Sequence, residues 1–299
     1  MILIDLNQVV ISNLMVQMNN YQETMDENLV RHMILNSIRS VKKRFSDEYG
    51  NVILCCDNKN FWRKDVFPHY KAGRKKTRES SGFDWNLIFN TITQMKNDLR
   101  EVFPYKIIEV HRAEADDIIG VLVKHYSKYE KTIIISSDKD FKQLQRYPNV
   151  KQYSPILKKF LTTDNPYKYI REHIIRGDRG DGVPNFLSPD DVFVSEQRQK
   201  PLVKKKLSDW LDINRNPEDF CDANMLRNYR RNETLVDLSF VPEEMESEIL
   251  DEYNKQPIGD MSKVFDYFIK NRMILLMEEI HDFKAVSYTH LTLPTSDLV

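Results

Sequence analysis

Lys131-Thr-Ile-Ile-Ile-Ser-Ser-Asp138-Lys-Asp140 is the stretch on which the architecture turns. Three consecutive isoleucines leave no polar face, so Thr132–Ile135 reads as a short strand buried on both sides, the habit of a parallel sheet. The run then stops at a pair of carboxylates. Two upstream runs do the same: Met1-Ile-Leu-Ile stops at Asp5, and Val52-Ile-Leu-Cys-Cys stops at Asp57. In an open α/β sheet, ligands bind beyond the carboxyl ends of the strands. Acids gathered at that edge repel one another unless positive charge sits among them. A divalent metal is the simplest source of that charge, so the pattern predicts a metal-dependent enzyme.

Between these runs the apolar period changes from strand to helix. Leu29, Met33, Ile34, Ile38 and Val41 give Asn28–Phe45 a helical spacing, and Ile88, Ile92, Met95 and Leu99 do so from Trp85 onward. Lys106–Val110 reads as a strand and Ala115–Tyr126 as a helix. Alternating strands and helices predict an α/β fold, a central mostly parallel sheet flanked by helices, over residues 1–175. Beyond Tyr153 long apolar strands give way to helical patterns punctuated by proline. They predict a smaller, mostly helical C-terminal domain over 176–283. Residues 284–299 form a Thr/Leu/Pro string unlike the rest, similar to translated adaptor read-through. They are set aside as a non-native tail, and His290 receives no role.

Composition excludes little. Of 299 residues 41% are apolar, enough for a core, and 44 Lys plus Arg balance 45 acids, so only the distribution of charge can speak about partners. Cys55, Cys56 and Cys221 have no zinc or disulfide spacing. Neither a basic leader with a long apolar stretch nor a bilayer-length apolar run is present, and the expectation is a cytoplasmic protein without a membrane partner.

More acids join the strand ends. Glu114, Asp116 and Asp117 open the predicted helix after Lys106–Val110, where a first-turn preference for acids accounts for one or two of them. Asp178 and Asp181 lie in the glycine-flanked loop Gly177-Asp-Arg-Gly-Asp-Gly182. Carboxylate oxygens suit magnesium or manganese, and so many acids exceed the needs of one ion, pointing to two. Two ions can clamp both oxygens of a phosphodiester displacement without a protein nucleophile, and no Ser-His-Asp or Cys-His arrangement stands out. Beside Asp57 runs the segment 59–78, with eight Lys/Arg against one acid and Phe61, Trp62, Phe67 and Tyr70 between them. Such a segment can follow a phosphate backbone and stack unpaired bases, and Lys71 and Arg74 can stabilise charge on a scissile phosphate.

In this order the motifs resemble the 5′-nuclease superfamily of flap endonucleases and 5′–3′ exonucleases, and within it the phage RNase H branch of T-even-like bacteriophages. They are Leu3-Ile4-Asp5, Leu54-Cys-Cys-Asp57, the basic segment, Glu114-Ala-Asp116-Asp117, Ser137-Asp138-Lys-Asp140 and Gly177-Asp178-x-x-Asp181. The resemblance implies a PIN-like nuclease core over 1–175 with a basic arch near 59–81, and a helical DNA-binding domain over 176–283. It implies Mg2+-dependent 5′–3′ exonuclease and flap endonuclease activity on DNA and RNA–DNA hybrids, with RNase H activity and primer removal during phage DNA replication. Two Mg2+ ions (Mn2+ as substitute) would be held by Asp5, Asp57, Glu114, Asp116, Asp117, Asp138, Asp140, Asp178 and Asp181. Of these, Asp5, Asp57, Glu114 and Asp116 would be catalytic together with Arg63, Lys71 and Arg74. DNA would meet Arg63, Tyr70, Lys71, Arg74, Lys75, Lys76 and Arg78. The substrate would carry a 5′ flap or nick. The protein would act as a monomer in the host cytoplasm, with a single-stranded DNA-binding protein or sliding clamp as replisome partner. Gly182 and Asn185 depart from the family pattern Asp-x-x-Asp-Asn-Ile-Pro-Gly. An alternative function is a catalytically inactive module that binds branched DNA.

Overall fold

The computed structural model describes residues 1–20 and 27–285; nearly all of the tail set aside from the sequence lies outside them. The chain runs β1 (Ile2–Asp5), α1 (Leu6–Asn20), α2 (Glu27–Tyr49), β2 (Val52–Cys55), α3 (Arg63–Val66), α4 (Gly73–Glu79), α5 (Trp85–Val102), β3 (Lys106–Ile108), α6 (Ala115–Tyr126) and β4 (Thr132–Ile135). A 3-10 turn over Asp140–Arg146 leads to β5 (Val150–Ser154), β6 (Lys159–Leu161), α7 (Pro166–Arg176), α8 (Lys204–Trp210), α9 (Ala223–Val236), α10 (Glu243–Asn254), α11 (Met261–Lys270) and α12 (Ile274–Glu278).

The six strands lie in the order β3-β2-β1-β4-β5-β6. All neighbours are parallel except the β5–β6 pair. Leu3 faces Ile53 on one side and Ile134 on the other, so β1, β2 and β4 end level. Asp5, Asp57 and Asp138 therefore emerge at one edge. The chain winds outward in both directions from β1, and the direction reverses between β1 and β4, where such folds open a crevice.

Alternation along each strand builds two cores. Ile2, Ile4 and Leu54 pack with Ile34 and Ile38 of α2, Leu99 of α5, and Phe268 and Phe283 near the C-terminus. Leu3, Ile53 and Ile134 pack with Ile118 and Leu122 of α6 and Ile249 of α10. Each fully buried aliphatic side chain stabilises the fold by roughly 1.5–3 kcal/mol.

Two features of the packing lie beyond the apolar pattern of the sequence. The helical C-terminal part does not pack as a unit of its own. Ile249 of α10 belongs to one sheet core, and Val264 and Phe268 of α11, Leu276 of α12 and Phe283 to the other. Only the middle segment has its own core, where Ile174, Ile175, Phe186, Trp210 and Tyr229 meet Phe67 and Tyr70 of the basic segment. A boundary at 175 thus cuts through the end of α7. Second, β5 follows β4 although its sequence, Val-Lys-Gln-Tyr-Ser, carries no apolar run. Its buried Gln152 donates from Nε2 to Ser136 O at 3.0 Å and to Asp138 O at 2.5 Å, so a polar residue serves the loop beside it.

Candidate active site

The acids at the sheet edge are held by the backbone around them. Asp5 Oδ1 accepts from Gln8 N at 3.0 Å in the first turn of α1, and Asp57 Oδ1 accepts from Ala115 N at 2.8 Å at the start of α6. Asp57 Oδ2 also accepts from Asn7 Nδ2 at 2.8 Å. In the loop after β4, Asp138 Oδ1 accepts from Asp140 N at 2.9 Å, while Ser137 N donates to Gln8 Oε1 at 2.5 Å. Ser137 Oγ and Ser154 Oγ lie 2.6 Å apart, joining this loop to β5. Asn7, Gln8, Ser136 and Gln152 escape a search for charged motifs, because their work is to hold the acids rather than to carry charge.

These carboxylates sense one another. Burial first, then the charges of Asp57 and Asp138, push Asp5 up to about 7. Burial, followed by Asp138, Asp5 and Glu114, raises Asp116 well above the usual carboxylate range. Burial likewise raises Asp57. Four chain segments thus deliver acids into one hollow whose negative charge the protein does not neutralise by itself.

A second group lies next to it. The donor atoms of Asp140, His173 and Asp178 all lie within 4.8 Å of one another. His173 Nδ1 is 3.6 Å from Asp140 Oδ1 and its Nε2 is 3.4 Å from Asp178 Oδ2. Burial raises Asp140 to about 7, against the pull of His173. The His173 ring above all holds Asp178 down at about 2. His173 was missing from the sequence reading. The available signal was its place on the last turn of α7, five residues before Asp178. Gly177 makes the turn between them, with φ of +66° and so little room that a Cβ would sit 2.3 Å from Val183 O. Asp181 on the same loop is bound to the arch: Lys71 N donates to its backbone oxygen at 2.7 Å. Gly182, at φ +75°, brings the loop against His69 O, where a Cβ would sit 3.0 Å away.

The basic segment divides in two. Its first part is buried, against expectation. Arg63, 1% exposed, donates from Nε to Leu235 O at 2.8 Å and from Nη1 to Glu114 Oε2 at 2.9 Å. Its Nη2 pairs with Asp117 Oδ1 at 2.7 Å. It has no route to a phosphate, so its expected catalytic and DNA-binding role is replaced by a structural one. Asp117, fully buried, accepts on Oδ2 from Trp62 Nε1 at 3.1 Å and from Glu114 N at 2.9 Å, so it is no free metal ligand. Tyr70, 3% exposed, offers no ring face to a base. Its hydroxyl lies 2.9 Å from both Glu114 Oε2 and Asp181 Oδ2, and its single proton serves one at a time. Glu114 is itself enclosed by Arg63, Tyr70 and Lys71, which places it as organiser of the arch base rather than as an open ligand. The enclosure of these four could not be read from the sequence for one reason: charge and aromaticity are legible there, and burial of a charged side chain is not.

The second part opens outward from Lys71, whose side chain is 9% exposed, to Arg74, at 47%. Lys71 pairs with Glu114 and Arg74 with Asp181, so both cations stand at the rim of the acidic hollow. On α4, Lys75 and Lys76 are exposed and Arg78 is half-buried, 5.6 Å over the Phe89 ring. The all-oxygen donors of Asp5, Asp57, Asp116 and Asp138 fit a hard divalent cation, and the raised protonation of the first three shows a charge deficit that such a cation would relieve.

Residues 1–173 match the family model of the 5′-3′ exonuclease N-terminal resolvase-like domain, and residues 165–283 that of the T4 RNase H C-terminal region. Ribonuclease H of Enterobacteria phage T4 is 33% identical over 290 residues, covering 94% of this chain and 95% of that protein. The Flap endonuclease Xni of Shewanella halifaxensis is 29% identical over 133 residues, covering 41% of this chain and 48% of that one. Among solved structures, the bacteriophage T5 D15 flap endonuclease in a pseudo-enzyme-product complex with DNA and metal ions shares the fold. Its TM-score is 0.57 at 16% identity, over 93% of this chain and 98% of that one. No helix among the described residues is long and apolar enough to cross a membrane.

Proposed function

This chain belongs to the 5′–3′ exonuclease family with a T4 RNase H type of C-terminal part, and on that premise we propose that it hydrolyses phosphodiester bonds at 5′ ends and flaps of DNA and of RNA hybridised to DNA, with Mg2+ as cofactor. The observation that carries the proposal is the convergence of Asp5, Asp57, Asp116 and Asp138 into one under-neutralised hollow beside Lys71 and Arg74. Divalent ions bound there would activate water and stabilise the leaving oxygen. Asp57 and Asp5, fixed by backbone amides, orient one set of ligand oxygens; Asp138 and Asp140 offer the other. Arg74, half-exposed at the rim, would exchange Asp181 for a phosphate and hold it over the acids, with the charge of Lys71 behind it. Lys75, Lys76 and Arg78 would follow the backbone beyond.

The biological setting that fits is primer removal in the cytoplasm of a phage-infected cell, with a single-stranded DNA-binding protein or sliding clamp as partner. A 5′-labelled flap and an RNA–DNA hybrid, incubated with Mg2+ or EDTA, test the reading. Short 5′ products in Mg2+ and none in EDTA are expected. Asp57→Asn should bind the flap with wild-type affinity and leave it uncut. Equal turnover of that variant and the wild type would refute the assignment.

A further inference from the structure

We propose that Arg231 is a built-in cation of the turn Pro184–Ser188, so that this turn keeps its shape, and its hold on duplex DNA, without a bound monovalent ion. The inference rests on the nuclease reading above only where it speaks of DNA.

The turn follows directly on the loop that carries Asp178 and Asp181. Its carbonyls meet in pairs. Pro184 O and Ile174 O both accept from Asn232 Nδ2 at 2.8 Å. Phe186 O and Ser188 O share Asn228 Nδ2, at 3.1 and 3.2 Å. Converging backbone carbonyls can replace the hydration shell of a monovalent cation. Here protein N–H groups hold the places such an ion would take. Asn228 and Asn232 bring no charge; Arg231 brings it. Its Nη2 donates to Pro184 O at 3.1 Å, and its Nη1 pairs with Asp190 just beyond the turn. Nε and Nη2 also donate to Asn232 Oδ1 at 3.0 and 2.9 Å, so the guanidinium orients the amide that binds two carbonyls. Arg231 is 8% exposed and Asn232 fully buried, which shuts solvent cations out.

A second set of bonds closes the turn from outside. Asn185, which departs from the family pattern, accepts on Oδ1 from Leu187 N at 3.0 Å and from Ser188 Oγ at 2.9 Å. Its Nδ2 donates to Lys200 O at 2.9 Å, and Ser188 Oγ accepts from Lys200 N at 2.9 Å. Arg231 also lies 5.3 Å over the ring of Phe67 in the basic segment, which ties the turn to the arch. Beyond the turn, Lys200 and Arg227 line a groove with Leu187, Pro189 and Asn224, where a DNA backbone would lie. An alkali ion bonds without direction, whereas a planar guanidinium has a fixed fork of donors. A turn held this way is set by the fold and not by the salt around it.

Thermal unfolding and flap affinity of the full-length protein, measured in potassium, sodium and tetramethylammonium chloride at one ionic strength, test this. Tetramethylammonium is too bulky for a carbonyl site. Wild-type Tm and affinity should agree across the three salts, and Tl+, a surrogate for K+, should show no bound signal in thallium resonance spectra. A wild type that binds Tl+, or that melts higher or binds the flap several-fold more tightly in K+ than in the bulky salt, overturns the inference. Arg231→Met keeps the stem and removes the charge. It should melt about 5 °C or more below the wild type in tetramethylammonium and recover part of that loss in K+. A loss equal in all three salts overturns the role of Arg231 as a stand-in for an ion. The wild-type measurements decide the matter alone if the variant does not fold. Flap cleavage in Mg2+ is followed on the same samples. Cleavage that needs K+ would sink this inference and leave the nuclease reading standing. No cleavage in any salt would sink the nuclease reading, while the Tm comparison would still judge Arg231.

Discussion

Asp5→Asn exposes the electrostatic cost of the metal-free pocket. In the absence of metal, burial and the charges of Asp57 and Asp138 move Asp5 from its ordinary value of 3.8 to about 7. A carboxyl raised in the folded state binds its proton more tightly there than in the unfolded chain. Its contribution to stability is complete below the unfolded value and is lost as pH rises through the folded one. The interval from 3.8 to about 7 corresponds to on the order of 4 kcal/mol. Asp140, raised to about 7 by burial, acts in the same direction. For a chain of this size each kcal/mol moves Tm by roughly 2 °C. The wild type in EDTA is therefore expected to lose several kcal/mol, or roughly 10 °C, between about pH 5 and about pH 8. The amide of the variant cannot ionise and escapes its share. In EDTA the variant should match the wild type near pH 4 and melt about 5–10 °C higher near pH 8. Mg2+ should raise the Tm near pH 8 by more in the wild type than in the variant, because binding discharges the repulsion that the amide has already removed in part. Circular dichroism melts of both proteins across this range supply the measurement. A variant that melts below the wild type near pH 8 in EDTA would refute the reasoning.

Arg63→Ala leaves Glu114 and Asp117 buried without their cation and Leu235 O without its donor, so denaturant unfolding should show a loss of about 3–5 kcal/mol. A loss below about 1 kcal/mol would contradict the buried-pair geometry. Arg74→Ala should reduce the slope of log affinity for a DNA flap against log salt by about one, as expected for one phosphate contact; an unchanged slope would remove Arg74 from the interface. Gly177→Ala must fit a Cβ within 2.3 Å of Val183 O at a φ of +66°. It should destabilise by at least about 1–3 kcal/mol, read by denaturant unfolding; a variant as stable as the wild type would contradict the tight turn.

The parallel core was legible because its strands are apolar on both faces: Ile2–Ile4, Val52–Cys55 and Thr132–Ile135 carry no residue that would suit solvent. Asp5, Asp57 and Asp138 were legible for a related reason, since each ends such a run. What escaped the sequence reading follows a second rule. β5 and β6 lie at the polar margin of the sheet, where Gln152 is buried to hold the Asp138 loop and β6 is an exposed edge. Helix α1 escaped because Ser12 and Asn13 interrupt its apolar stripe, their side chains bonding back to Val9 O. Residues 176–283 read as one helical domain because their helices are individually amphipathic, and amphipathicity alone does not name the surface a helix covers.

Glu114 sits where the fold and the chemistry meet. A polyanion and an acidic hollow repel, so any DNA reaching Asp5, Asp57, Asp116 and Asp138 must arrive with cations between them. The metals provide some of that charge and the arch the rest. The arch is kept in place by acids that are no open ligands: Glu114 binds Arg63, Tyr70 and Lys71, and Asp181 binds Tyr70, Lys71 and Arg74. Arg63 and Tyr70 are locked inside and stay. Lys71 stays with buried Glu114, and Arg74 is the cation at the rim, whose partner Asp181 is what a phosphate would replace. Holding buried Glu114 with the enclosed Arg63 and Lys71, and the more open Asp181 with the half-exposed Arg74, gives a site that stays folded without substrate and gains charge complementarity when a phosphate replaces Asp181.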